Sequence, residues 1–259
     1  MFDFLKKKNN GETEDQNSLG KVGEDLDFAT KEAYNLLRTN LSFSFPEKTG
    51  GRMIGVTSSC PQEGKSFTAV NLAYVLAEAG NRTLLIDADM RRPSLAKTLQ
   101  KPLSPGLSNL LVNGDQSVIH KNVLHPNLSA VMAGDLPPNP SELISSEKMR
   151  GILSVFSKHF DFIIVDLPPV TSVSDPLAIS QVVDGMIVVL RHERTRRSEL
   201  QETIRQLRFA KAHILGFVYN GYSHGSGYYR RRSSYSYKNY YYYSSGASGS
   251  SQNDAEETQ

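Results

Sequence analysis

One cysteine, Cys60, in 259 residues excludes an internal disulfide framework and the paired cysteines of an iron–sulfur or structural zinc site. It also points to a reducing compartment. Histidines are few and scattered: His120, His125, His159, His192, His213 and His224 include no pair at i, i+4 and no HExxH, which argues against a histidine metal site. No apolar run approaches the roughly 20 residues of a membrane span. The N-terminal MFDFLKKKNN lacks the apolar core of a signal peptide, so the expected location is cytoplasmic. Neither sign of charge is in excess: 29 Lys and Arg against 27 Asp and Glu leave +2, too little for a general affinity for nucleic acid. The remainder is ordinary globular composition, 39% hydrophobic and 22% charged, and the length suits one large α/β domain with a buried core.

Three regions are legible. Residues 1–29 hold four lysines and seven acidic residues without an apolar period, and read as a flexible leader. Residues 30–222 read as the folded domain. There TKEAYNLLRTNLSFSF has helical spacing, RMIGVTSS and TLLIDAD are short apolar strands, and a helix runs between them up to Gly80. Strand, helix, strand in about 35 residues is a βαβ unit, hence a parallel sheet with helices on its faces. Residues 91–145 are rich in Pro and Gly and predict short helices and loops, with LSAVMAG as a strand. Alternation resumes with helix EKMRGILSVFSKHF, strand DFIIVDLPP, a short helix near PLAIS, strand DGMIVVLR, helix RRSELQETIRQLRFAK and strand HILGFVYN, for six to eight strands in all. Arg191, Arg194, Arg196, Arg197, Arg205, Arg208 and Lys211 crowd around that last helix and read as a solvated basic face, the alternative being a surface for an anionic membrane or an activator.

Between the first strand and its helix, Ser59 to Ser66 read S-C-P-Q-E-G-K-S, the phosphate-loop pattern GxxxxGK[ST] with Ser59 in place of its first glycine. A loop that follows a buried strand and opens a helix offers backbone N–H groups and the positive helix end to the phosphates of a nucleotide. Ser59, Pro61, Gln62, Glu63, Gly64, Lys65, Ser66 and Phe67 are therefore the candidate nucleotide-binding residues. Lys65 would reach the β- and γ-phosphates, and the Ser66 hydroxyl would be a Mg²⁺ ligand. Asp87 and Asp89 end one apolar strand and Asp166 another, at the edge where open parallel sheets bind ligands. Three carboxylates beside a phosphate loop repel one another and call for a cation, which makes Ser66, Asp87, Asp89 and Asp166 the candidate metal set. The competing role for Asp87 or Asp166 is helix capping.

From Ser223 the chain becomes a Ser, Gly and Tyr mixture without Ile, Leu or Val, and residues 223–259 predict a disordered tail. Eight of the 12 tyrosines, Tyr228, Tyr229, Tyr235, Tyr237, Tyr240, Tyr241, Tyr242 and Tyr243, fall within 16 residues, among Arg230, Arg231, Arg232 and Lys238. Taken alone, such a tail could equally bind nucleic acid by stacking.

VTSSCPQEGKS, LLIDADMRRP and IIVDLPP together resemble the Walker A, A′ and B motifs of the bacterial tyrosine kinases, and EAYNLLRTN, GLSNLL, LPPNPSELI and the tyrosine tail extend the likeness from about residue 30 to the end. The resemblance implies a P-loop fold of the MinD and ParA type, ATP and Mg²⁺ as cofactors, and transfer of the γ-phosphoryl group to tail tyrosines of a neighbouring subunit. It implies control of capsular or exopolysaccharide synthesis, a transmembrane activator of the polysaccharide co-polymerase type that holds the chain at the inner face of the plasma membrane, a cognate tyrosine phosphatase, and a ring of identical subunits. No nucleic acid is expected. By the same likeness Lys65, Asp87 and Asp89 are the catalytic candidates, with Asp87 as base, and the eight clustered tyrosines the phosphoacceptors. The alternative is a switching ATPase of the MinD or ParA type without kinase activity, although Cys60 stands where those proteins carry a lysine. Three departures from the kinase pattern are Gln62 for a usual Gly, Leu167 for a common Thr, and Asn35 in the middle of the ring-forming ExxRxxR motif, here Glu32, Asn35 and Arg38. A positive φ at residue 62 would strain the loop.

Overall fold

A computed structural model describes residues 21–45, 50–115 and 117–222. The leader before residue 21 and the tyrosine cluster lie outside the described residues. Seven strands form one sheet in the order β3-β4-β2-β5-β1-β6-β7, within the six to eight expected. They are β1 (Arg52–Ser58), β2 (Thr83–Asp87), β3 (Ile119–His120), β4 (Leu128–Val131), β5 (Phe162–Asp166), β6 (Gly185–Arg191) and β7 (Ile214–Asn220). All neighbours run parallel except β3, a two-residue strand paired antiparallel to β4. Two residues carry no alternation, so the sequence reads β3 as loop.

The helices are α1 (Phe28–Ser44), α2 (Lys65–Glu78), α3 (Leu95–Thr98), α4 (Leu107–Asn113), α5 (Pro140–Ser145), α6 (Glu147–Phe156), α7 (Asp175–Ile179) and α8 (Arg197–Phe209). Burial on both faces explains the near-continuous apolar strands. Leu84 and Ile86 of β2 turn to one core with Ile163 and Val165 of β5, joined by Leu107 of α4, Leu153 of α6 and Leu207 of α8. Leu85 and Ile164 turn to the other, against Val70, Leu72 and Leu76 of α2 and Tyr34 and Leu41 of α1. Because successive side chains of a strand point to opposite faces, this alternation assigns each helix to its layer.

Residues 21–27 pack against the domain, earlier in the chain than the sequence indicates. Residues 21–27, read as part of a leader, hold a 3₁₀ turn at Gly23–Asp25, and the Gly23 N–H donates to Asn71 Oδ1 at 3.0 Å. Val22 and Leu26 pack against the α2 core. Asp27 then caps α1, accepting from the Thr30 N–H at 3.1 Å and the Thr30 hydroxyl at 2.7 Å, so the helix starts two residues before Thr30. Both bonds favour the carboxylate and hold Asp27 below its usual pKa.

Candidate nucleotide and metal site

The site lies at the C-terminal ends of the three central strands. β1 stops at Ser58, the loop 59–64 follows, and α2 begins at Lys65. Its N-cap, Gly64, has φ of 94°, and a Cβ there would stand 1.9 Å from Asn220 Nδ2. Glycine is thus required both by the backbone and by close approach. Gln62 has φ of 64°, so the left-handed conformation that would strain a non-glycine residue is the one observed.

Asp87 and Asp166 are the last residues of β2 and β5 and lie opposite each other in register. Lys65, 11% exposed at its side chain, reaches over them: Nζ is 2.9 Å from Asp89 Oδ2 and 3.3 Å from Asp166 Oδ1. It also donates to Ser66 Oγ at 3.2 Å. Burial pulls the ammonium's pKa down, but Asp166 and Asp89 outweigh it and hold Lys65 above its ordinary value. Asp87 is wholly buried. Its Oδ1 accepts from the Asp89 N–H at 3.2 Å and its Oδ2 from the N–H groups of Ser94 at 3.3 Å and Leu95 at 3.1 Å. Asp87 therefore holds the start of α3, and neither it nor Asp166 lines the cleft above them, where Asp89 is the acid exposed to it. Burial, and then the charge of Asp166, push the Asp87 pKa up to about 7. Burial likewise raises Asp166, against the attraction of Lys65.

Asp166 Oδ2 is buried and has no hydrogen-bond partner. An orphaned carboxylate oxygen beside a serine hydroxyl and a second acid is an oxygen donor set of the type hard divalent cations take, so these residues fit Mg²⁺. Above them opens a cleft of about 530 Å³ lined by Pro61, Gln62, Gly64, Lys65, Ser66 and Phe67 on the loop side and by Asp89, Arg91, Arg92, Ser94, Pro168, Pro169, Ser172 and Val173 opposite.

Two candidate nucleotide-binding side chains are placed differently. The Ser59 hydroxyl accepts from Thr203 Oγ1 at 2.9 Å in a buried contact, and the Glu63 carboxylate accepts from the Cys60 N–H at 2.9 Å and the Thr195 hydroxyl at 2.5 Å. Neither lines the cleft; both hold the loop. Arg91 adjoins the acids but carries no motif signal of its own in the sequence. Arg91 lines the cleft and donates to Ser141 Oγ at 2.8 Å, and that hydroxyl donates to the buried Asp175 at 2.5 Å. Leu167 is fully buried in the core beneath α7 and α8 rather than at the site. On α1, Asn35 Nδ2 donates to Glu32 Oε1 at 2.9 Å, while Arg38 donates to the Val75 carbonyl of its own chain at 3.0 Å.

Residues 51–214 match the family model of the AAA domain. The tyrosine-protein kinase YwqD of Bacillus subtilis is 34% identical over 193 residues, 73% of this chain and 80% of that protein. EpsB of Ralstonia nicotianae is 37% identical over 78% of this chain, but the chain spans just 28% of the length of that longer relative. Among solved structures, the kinase domain of the Escherichia coli tyrosine kinase ETK superposes with a TM-score of 0.69 at 31% identity, over 76% of this chain and 79% of that one. Among the described residues, no helix is long and apolar enough to cross a membrane.

Proposed function

We propose, for a chain that belongs to the bacterial tyrosine kinases, that it transfers the γ-phosphoryl group of ATP to the clustered tyrosines Tyr228 to Tyr243 of a neighbouring copy. The observation that carries this reading is the coexistence of two features. One is a cleft lined by Lys65, Ser66 and Asp89, with Lys65 also bonded to the buried Asp166; the other is a C-terminal segment of 37 residues with eight tyrosines and no Ile, Leu or Val.

In the reaction the tyrosine oxygen bonds to the γ-phosphorus, the bond from that phosphorus to the β,γ-bridging oxygen breaks, and ADP leaves with the electron pair. Phosphoryl transfer needs positioning and charge neutralisation more than covalent chemistry. Lys65 supplies a buried positive charge aimed into the cleft, and the loop amides supply donors. Ser66, Asp89 and Asp166 would hold Mg²⁺, which would supply positive charge to offset that of the phosphates. Asp87, with a pKa near 7, accepts the tyrosine proton, a value suited to a general base at neutral pH. A Ser- and Gly-rich chain of about 20 residues with random-coil statistics would have an r.m.s. span on the order of 25 Å, enough to enter another subunit's cleft. Each phosphate adds about −1.5 to −2 charge, so several would reverse the sign of a segment that starts basic and loosen an assembly held by it. Such a cycle would control capsular or exopolysaccharide synthesis, with a transmembrane co-polymerase as activator at the inner membrane face and a tyrosine phosphatase as its reset.

The test mixes a full-length Lys65→Met chain, which supplies acceptor tyrosines, with an active chain ending at Tyr222, in ATP, Mg²⁺ and an activator segment. Phosphotyrosine on the Lys65→Met chain is the expected result. ATP hydrolysis without phosphotyrosine on either chain would overturn the reading in favour of a switching ATPase.

A further inference from the structure

The phosphate loop is gripped from outside the cleft by a segment distant in sequence. Arg191, the last residue of β6, donates through its guanidinium to the Gln62 carbonyl at 3.1 Å, and Arg194 donates to the Gln62 side-chain oxygen at 2.8 Å. Thr195 donates to the buried Glu63 carboxylate and in turn accepts from the Arg191 N–H at 2.8 Å. Asn220, ending β7, donates to the Glu63 carbonyl at 3.1 Å. None of Arg191, Arg194, Thr195 and Asn220 lines the cleft. Their contacts converge on the stretch where φ is positive at Gln62 and Gly64 but not at Glu63 between them. Alternation of hand is how successive backbone amides come to form an anion-binding concavity. Glycine adopts it freely at residue 64, whereas at residue 62 a side chain must be held there against its preference.

We propose that residues 191–195 are a clamp that fixes the loop in its phosphate-binding shape, with Arg191 and Arg194 as positioning residues acting through Gln62. The inference rests on the nucleotide-binding reading of the loop. Charge-assisted donation to both the carbonyl and the side-chain amide of Gln62 restrains its backbone and its side chain together. Arg194 thereby sets nucleotide affinity without touching nucleotide.

The experiment measures ADP binding with Mg²⁺, by fluorescence of a labelled analogue, for the full chain and for Arg194→Ala, Arg194→Lys, Gln62→Ala, Gln62→Gly and the double variant Gln62→Gly with Arg194→Ala. Arg194→Ala and Gln62→Ala should each weaken binding by about three- to tenfold, the loss expected for one solvent-exposed hydrogen bond. Arg194→Lys should recover part of it. In the Gln62→Gly background Arg194→Ala should change affinity less than twofold, because glycine has neither the acceptor nor the conformational penalty. An equal loss from Arg194→Ala in both backgrounds would show that the arginine attracts nucleotide by charge alone and would overturn the clamp. So would unchanged binding in either Arg194→Ala or Gln62→Ala. Gln62→Ala retains every arginine, so a folding failure of Arg194→Ala leaves a deciding measurement. Absence of ADP binding by the unaltered chain would instead refute the nucleotide reading itself.

Discussion

Replacing Lys65 by methionine removes the positive charge that lies 2.9 Å from Asp89 and 3.3 Å from Asp166, with Asp87 directly across from Asp166 in the sheet. Both bonded carboxylates are at least 95% buried at their side chains. Breaking such a pair from one side costs about 3–5 kcal/mol, because the remaining charges stay buried and uncompensated. The carboxylates escape that cost only by taking up protons. Asp87 titrates near 7 and Asp166 above its ordinary range even with Lys65 present, and both shift further upward once the ammonium is gone. A carboxylate whose pKa is raised on folding favours the folded state while protonated. Its contribution is full below the unfolded value of 3.8 and is lost as pH rises through the folded value, about 7 for Asp87. Lys65, raised from 10.5, stays charged across this range and adds no slope of its own. The expected result for nucleotide-free Lys65→Met is a loss of about 3–5 kcal/mol at pH 8, and a smaller loss at pH 5.5, where the buried acids take up protons. Urea unfolding followed by circular dichroism at both pH values measures it, and adding Asp166→Asn should recover much of the deficit at pH 8. A loss that is equal at both pH values, or that Asp166→Asn does not relieve, would refute the electrostatic account of the site.

Asp87→Asn should lower the rate of tyrosine phosphorylation by about 10²–10⁴-fold while changing ADP affinity by only a few fold; single-turnover kinetics beside equilibrium binding separates the two, and parallel losses would remove Asp87 from the role of base. Gly64→Ala, with φ of 94° and a Cβ forced against Asn220 Nδ2, should weaken nucleotide binding by at least about tenfold through distortion of the loop, measured by the same titration. Leu85→Ala, in the fully buried centre of β2, should cost about 2–5 kcal/mol in urea unfolding with the nucleotide site's affinity retained.

Much of this architecture is legible because it is local. Lys65, Ser66 and Gly64 sit in a contiguous motif, and Asp87 and Asp166 end apolar strands whose burial on both faces makes them conspicuous. The expectation that Gln62 is strained if its φ is positive could likewise be stated from one residue, and the φ of 64° meets that condition. What sequence reasoning misses depends on distant pairing. Arg191 and Arg194 look like part of the basic face of α8, yet both precede that helix and bond to Gln62, 129 and 132 residues away. No periodicity encodes such a contact. Ser59 and Glu63 fall within the motif, but their side chains turn from the cleft to Thr203 and Thr195, residues on the far side of the sheet's sequence. The 3₁₀ turn at Gly23–Asp25 is hidden for another reason: it is held by the bond to Asn71 and by Val22 and Leu26 on either side, contacts that leave no periodic pattern in a polar segment.

The most direct test of the central claim is the intact mass of the full-length protein after incubation with ATP and Mg²⁺, with and without the cytoplasmic segment of a co-polymerase activator. The expected result is a ladder of additions of about 80 Da each, confined by peptide mapping to Tyr228–Tyr243 and slowed by about 10²–10⁴-fold when Asp87 is replaced by Asn. No additions with activator present, while ATP is still consumed, would contradict it.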